Sequence, residues 1–362
     1  MSEIAVLSES AGVLPAQGRS GGGGGLGRYL VIRFLLIIPT VFILVTLVFL
    51  LMRTTGDPIT AAQGGRLPPE QLAERIHAAG YDRPLLAQYL DYMGGLLRGD
   101  FGTTISDNRP VTTVLATYGT ATLELAVYAL IVAFVVGIPL GMLAAYLRDR
   151  VGDAVLRVLA ILCYATPVFF AGLLLKLVFA IKLGVLPVSG RASTGTELDL
   201  QLLEGKTGIY LVDALRLGDP AAVADVLEHA VLPSVALGLL TAGIFLRLVR
   251  TNVIGTLGTE YVDAARSRGV SELRLVTRHA YRPALIPIVT VIGLQIALLL
   301  GGAVLTETTF EWKGLGFQLT QYLTARDFVA VQGIVALLAV IVAVTNFVVD
   351  VLAALIDPRV RY

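Results

Sequence analysis

Gly205-Lys206-Thr207 ends in the way a phosphate-cradling nucleotide loop ends, with a lysine for the outer phosphates and a hydroxyl for magnesium. The full pattern needs a glycine five residues before Gly205, and Leu200 stands there. The run from Gly21 to Gly25 likewise follows no strand and opens no dinucleotide-binding unit. His77, His229 and His279 are far apart, and no two have helical ligand spacing. Cys163 is the only cysteine, which excludes an intrachain disulfide and any zinc site built from four cysteines or from paired cysteines and histidines. No Ser/His/Asp set and no carboxylate pair can be argued from the spacing. The chain is therefore expected to be no enzyme and to hold no cofactor or metal, so any energy it uses must come from a partner. The densest run of chemistry-bearing side chains is Glu260-Tyr261-Val262-Asp263-Ala264-Ala265-Arg266-Ser267-Arg268-Gly269, followed at a distance by Arg278-His279. It reads as an amphipathic helix broken at Gly269, which tolerates φ > 0.

The elements around that run are set by hydropathy. Apolar residues make up 56% of the 362 and charged ones only 15%, whereas an ordinary soluble domain carries about 25% charged residues. Six uncharged stretches, 34–52, 125–147, 158–175, 230–246, 283–306 and 328–349, have the roughly 17–25 apolar residues that a bilayer-crossing helix needs. A closed barrel would instead show strands of about ten residues with alternating polarity. The expected fold is an all-α integral membrane protein with six transmembrane helices. Its expected divisions are a flexible Gly-rich tail 1–28, TM1 29–53, an external segment 54–116, TM2 117–147 and TM3 153–182. They continue with an external loop 183–228, TM4 229–250, an internal loop 251–282, TM5 283–306, an external loop 307–327, TM6 328–356 and a C-terminus 357–362. The 34–52 stretch has more residues than the roughly 7–15 of a signal peptide core, and no Ala-x-Ala-like cleavage site follows it, so it is expected to be retained.

Six crossings leave both termini on one side. The N-terminus, 148–157, 247–282 and the C-terminus together carry 15 Arg against nine acidic residues. Segments 53–113, 182–228 and 306–327 carry 12 basic against 17 acidic residues. Short loops rich in Lys and Arg stay cytoplasmic, which places both termini and the 251–282 loop inside. The first external segment should contain a helix opening at Pro68-Pro69-Glu70 and form a small folded cap. A formal net charge of +1 gives no reason to expect a nucleic-acid partner. Pro39, Pro139, Pro167 and Pro287 fall in or near helices, where they bend or merely kink. Gly137, Gly141, Gly301 and Gly302 allow close helix contact. Glu124 and Lys176 flank two of the stretches and are expected at the outer interface, not as substrate ligands.

The internal loop, with Asp263-Ala264-Ala265 and Gly269, resembles the "EAA" loop of bacterial ABC import permeases. Gly80-Tyr81-Asp82-Arg83-Pro84-Leu85, Gln88-Tyr89, Gly99-Asp100-Phe101-Gly102-Thr103-Thr104 and Pro110-Val111 resemble the external segment of the dipeptide/oligopeptide/nickel permeases, B-type subunit. Glu307-Thr308-Thr309-Phe310, Gly314-Leu315-Gly316 and Asp357-Pro358-Arg359-Val360-Arg361-Tyr362 are similar to that family's last external loop and ending. Two features depart from it: Asp263 replaces the usual Glu, and Arg282 stands where many permeases carry proline. The 191–225 insert has no evident counterpart. The resemblance implies a C-type sister permease, one or two ABC ATPase subunits that bind ATP and Mg, and an external substrate-binding protein. It implies import of di- or oligopeptides, with nickel, glutathione or another small solute as the alternative. The implied ATPase-coupling residues are Glu260, Tyr261, Asp263, Ala264, Ala265, Gly269, Arg278 and His279. An ion-coupled secondary transporter is a rival, but neither inverted repeats nor paired midplane ionisable groups are evident.

Overall fold

The computed structural model describes residues 26–54 and 56–356, so the proposed tail up to residue 25 and the 357–362 ending lie outside the described residues. The described chain is built of helices, with one isolated antiparallel bridge between Thr103 and Pro110. In chain order the helices are α1 Leu26–Arg53, α2 Pro58–Gln63, α3 Pro69–Ala78, α4 Leu85–Leu97, α5 Val111–Tyr146, α6 Val151–Ala165 and α7 Val168–Leu175. They continue with α8 Thr194–Leu202, α9 Tyr210–Leu217, α10 Pro220–Leu257, α11 Glu260–Ser267, α12 Glu272–Arg274, α13 Tyr281–Phe310, α14 Leu315–Thr324 and α15 Phe328–Ile356. π-helical turns continue α7 over Lys176–Lys182 and lead from α12 into α13 over Leu275–Ala280.

Four of these, α1, α5, α10 and α15, are long and apolar enough to cross a bilayer. Helix α13, with 30 residues, has a length of about 45 Å, which also suffices. The stretch expected as TM3 at 153–182 is broken at Pro167 into two helices meeting at 105°. The cause is local: Pro167 supplies no N–H and pushes its predecessor out of the α region, and Thr166 is accordingly extended at φ −77°, ψ 125°. Helices α5 and α10 overrun their expected spans, having 36 and 38 residues. Helix α10 starts early because Asp219 caps it, accepting from Ala221 N at 2.9 Å, with Pro220 in the first turn.

The bundle is centred on α5 against α10, where small residues let backbones touch. A Cβ on Gly137 would lie 2.7 Å from the Ala242 carbonyl oxygen, and one on Gly238 2.6 Å from that of Ala129. Gly141 meets Val249 and Leu246 in the same way, whereas Gly301 faces open space and makes no such contact. In lipid this close fit replaces the hydrophobic drive available in water. The 191–225 insert forms α8 and α9 over its own small core of Ala192, Leu200, Ala214, Ala222 and Val226. Helix α3 opens at Pro69. Helix α4 packs on the bundle: Tyr89 and Tyr92 lie against Phe49 of α1, and the Tyr89 hydroxyl lies 2.7 Å from Thr46 Oγ1.

Candidate functional site: a docking loop and a buried-carboxylate clamp

At the loop end, α10 stops at Leu257 and α11 begins after Thr259. The helix divides its residues by face. Val262 and Ala265 are buried with Leu275, Val276, Ala280, Ala284 and Ile288, while Tyr261, Asp263 and Ala264 are exposed. Of the two alanines expected in the coupling loop, Ala265, three residues from Val262, shares its inward face, and Ala264 faces out. Glu260 and Asp263 lie in the first turn of α11, where the helix dipole favours negative charge. Gly269 has φ +80° with open space around a notional Cβ, so its requirement is conformational rather than steric. Its N–H donates to the Arg266 carbonyl at 2.9 Å, and Val270 N donates to Ala265 O at 3.3 Å, which closes the helix end.

Arg266 fastens this turn by pairing with Asp263 and, at 2.8 Å, with Glu272. The hydrogen bond to Glu272, together with the two nearby acids, holds the guanidinium pKa above its ordinary value. Tyr261 donates to the backbone carbonyl of His279 at 3.3 Å, which links α11 to the turn entering α13. Arg278 is exposed and the His279 ring half-buried. The face left open is thus Glu260, Tyr261, Asp263, Ala264, Ser267 and Arg268: small at its centre and charged at its rim. Beside it, Arg250 holds Asp153 bidentately at 2.6 and 2.7 Å, tying α10 to α6. Sequence reading passed over that pair, although both charges end apolar stretches.

At the opposite end the buried carboxylates Glu124, Glu307 and Asp327 each accept from a different segment of the chain. Glu124 accepts from Arg191 at 2.5 Å, Leu211 N at 2.9 Å, Tyr128 at 2.8 Å and Tyr210 N at 3.3 Å. Arg191 also stacks on the Tyr210 ring, 3.6 Å from its centroid. Glu124 is therefore the anchor of the insert. Glu307 accepts from Thr122 at 2.7 Å and Phe317 N at 2.9 Å, and the Trp312 indole donates to Ala121 O at 2.9 Å. A Cβ on Gly314 would lie 2.5 Å from the Glu307 carboxylate, which explains the glycine after the Glu-Thr-Thr-Phe run. Asp327 accepts from Ile105 N at 2.7 Å and from both N and Oγ of Ser106 at 2.8 Å. Carboxylates ringed by charge-assisted donors are the stronger kind of hydrogen-bonded clamp.

The nucleotide-loop remnant is occupied by the chain itself. The carboxylate of Asp213 accepts from Thr207 N and Oγ1 at 2.8 and 2.9 Å and from Gly208 N at 2.9 Å. Those donors are spent on an internal anion, and Lys206 donates to the Gln201 carbonyl. Among the described residues no three His, Cys, Asp or Glu side chains come together as a metal site.

Comparison with known proteins gives this geometry its context. The family profile for the binding-protein-dependent transport system inner membrane component matches residues 137–362, and its N-terminal companion matches 26–116. The di/tripeptide transport system permease protein DppB of Pseudomonas aeruginosa is 39% identical over 333 residues, covering 91% of this chain and 97% of that protein. The dipeptide transport system permease protein DppB of Escherichia coli K12 is 37% identical, covering 92% and 99%. The glutathione transport system permease protein GsiC of Salmonella choleraesuis is 34% identical over 92% and 99%. A solved inward-facing MetNI methionine ABC transporter shares the fold at TM-score 0.51 and 15% identity, over 67% of this chain and 96% of that one. With its helical bundle and exposed 260–269 helix, the chain belongs to the binding-protein-dependent transport inner-membrane family and is a permease subunit of an ABC importer.

Proposed function

We propose that this permease moves dipeptides and other short peptides into the cytoplasm. It does so as one half of a channel completed by a C-type sister permease. One or two ABC ATPase subunits bind ATP and Mg and dock on the 251–282 loop, and an external binding protein delivers the peptide to the opposite end. Both termini and the docking loop are cytoplasmic, as the arginine excess on that side requires. The observation that carries this reading is the open face of α11, with Ala264 outward and a glycine turn at φ +80°, in a chain related to dipeptide permeases over nine-tenths of its length.

Peptide binding at the external end and ATP closure at the loop end communicate through α10, which runs from the insert to the docking loop in one 38-residue helix. A rigid element packed along α5 can carry a tilt from one end to the other. Uptake of a labelled dipeptide in a strain lacking the gene tests the substrate. The expected result is loss of uptake, restored by the gene. Unchanged dipeptide uptake with loss of glutathione or nickel uptake would transfer the assignment to that solute.

A further inference from the structure

The seam where α1, α4 and α15 meet carries two cavities, one above the other. The upper one, about 330 Å³, is the more polar, and Arg53, Tyr81, Gln88, Tyr92, Asp100 and Gln332 are among its lining. The lower one, about 370 Å³, is apolar, between Val41 and Val45 of α1, Met93 and Leu97 of α4, and Ala336 and Val340 of α15. Phe101 lines both. In the upper chamber Arg53 Nε, Tyr92 Oη, Gln88 Oε1 and Gln332 Nε2 are all buried with no hydrogen-bond partner in the chain. Gln332 is only 4% exposed. The orientation of the Gln88 amide is fixed, because its nitrogen donates to the carbonyls of Tyr81 and Arg83. Four residues around one chamber that each hold a buried polar atom without a partner are uncommon in a native fold.

Depth decides what fits. The Arg33–Asp350 pair at 3.2 Å and the Phe34–Phe347 ring contact put those residues of α1 and α15 at one level. At 1.5 Å per residue, Arg53 lies about 30 Å from Arg33, and Gln332 about 27 Å from Asp350. The hydrocarbon core is itself about 30 Å thick, so the polar chamber sits at the far boundary. Ala336 and Val340 lie about 21 and 15 Å from Asp350, within that core. Leu86 and Leu97 on α4 are 68% and 86% exposed, and many apolar side chains of α1 are about half exposed as well.

We propose that this seam binds a glycerophospholipid, its headgroup in the polar chamber and an acyl chain in the groove below. A phosphodiester would accept from Arg53, Tyr92 and Gln332, and a hydroxyl or ammonium on the headgroup would donate to Gln88. Phosphatidylethanolamine carries such a donor; phosphatidylcholine does not. The inference is separate from the transported solute, and only the name of the leaflet follows from the proposed topology.

The test uses the complete transporter in phosphatidylcholine nanodiscs with a phosphatidylethanolamine probe bearing a photoreactive group midway along one acyl chain. Cross-linked peptides should contain residues 93–101 or 336–340. Gln332→Leu should reduce labelling about tenfold, the size expected when a buried hydrogen bond to a charged group is lost. Val340→Trp, which fills the groove from a half-exposed position and spares the chamber, should reduce it as well. It also serves as the reading if the Gln332 variant does not assemble. Unchanged labelling in the assembled variants would overturn the proposal. So would abolition of labelling by millimolar glycerophosphoethanolamine, which would assign the chamber to a soluble phosphate ester. Cross-linking of residues 93–101 to the sister permease in place of lipid would overturn it too.

Discussion

The two adjacent alanines of the docking helix should respond oppositely to the same substitution. Ala264 is exposed, so Ala264→Glu should change folding stability by no more than about 0.5 kcal/mol, the usual range for surface positions. Ala265 is 8% exposed among Leu275, Val276 and Ala280. A glutamate there must bury an unpaired carboxylate, at a cost of about 3–5 kcal/mol by analogy with broken buried pairs. That is a large share of the roughly 5–15 kcal/mol by which folded proteins are stable. The docking effects reverse the order of directness. At Ala264 a longer side chain holds the partner's backbone away, and loss of a central contact of about 2 kcal/mol weakens binding about 30-fold. Thermal melting followed by size-exclusion chromatography reads the first quantity, and ATPase capture at graded concentrations reads the second. Ala264→Glu should melt as the parent does yet capture the ATPase about 30-fold more weakly, whereas Ala265→Glu should melt early. The face assignment is refuted if Ala265→Glu folds normally while Ala264→Glu captures the ATPase with unchanged affinity.

Glu124→Gln should free the insert, because Arg191 loses its charged partner at a local cost of about 3 kcal/mol; faster tryptic cleavage at Lys206 and Arg216 would show it, and an unchanged rate would deny it. At Asp107, burial raises the carboxyl pKa, but hydrogen bonds from Thr104, Arg109 and Tyr322 outweigh it and hold the pKa below the ordinary value. A depressed pKa stabilises at pH above the unfolded value, near 4, and the contribution is lost as pH falls through the folded value. Protection factors of the amides in 103–110, with the intrinsic pH dependence of exchange divided out, should therefore be flat from neutral pH down to about 5 and fall only in stronger acid, with Asp107→Asn showing no such step. For topology, Ser106→Cys should react with a membrane-impermeant thiol reagent on intact cells and Ser271→Cys should not, both in a Cys163→Ala background. The reverse labelling would invert the orientation.

What could be read in the sequence was what local chemistry determines. Gly269 was legible because a positive φ after a helix is a glycine habit, and the break at Thr166-Pro167 was legible in principle because proline constrains its predecessor. The inward turn of Ala265 was also available, since Val262 three residues earlier shares its face. The clamps were not available. Arg191 is 67 residues from Glu124, and Ser106 is 221 from Asp327, so nothing in either neighbourhood names the other. Charge next to an apolar stretch suggested an interface position for Glu124, whereas hydrogen bonding allows it to be buried. Helix α4 falls in the segment for which the helix signal at Pro68-Pro69-Glu70 suggests a small folded cap. Its packing on α1 depends on Phe49, Tyr89 and Tyr92 meeting across some forty residues.

ATP-driven uptake into proteoliposomes bears most directly on whether this chain is an ABC-importer permease worked through its 260–269 helix. The complete complex, with the external binding protein on the outside and ATP enclosed, should accumulate labelled dipeptide. It should fail without ATP, and fail with Ala264→Glu despite normal membrane assembly. Accumulation driven by a proton or sodium gradient with no ATP hydrolysis would instead identify an ion-coupled carrier and contradict the role assigned to the docking helix.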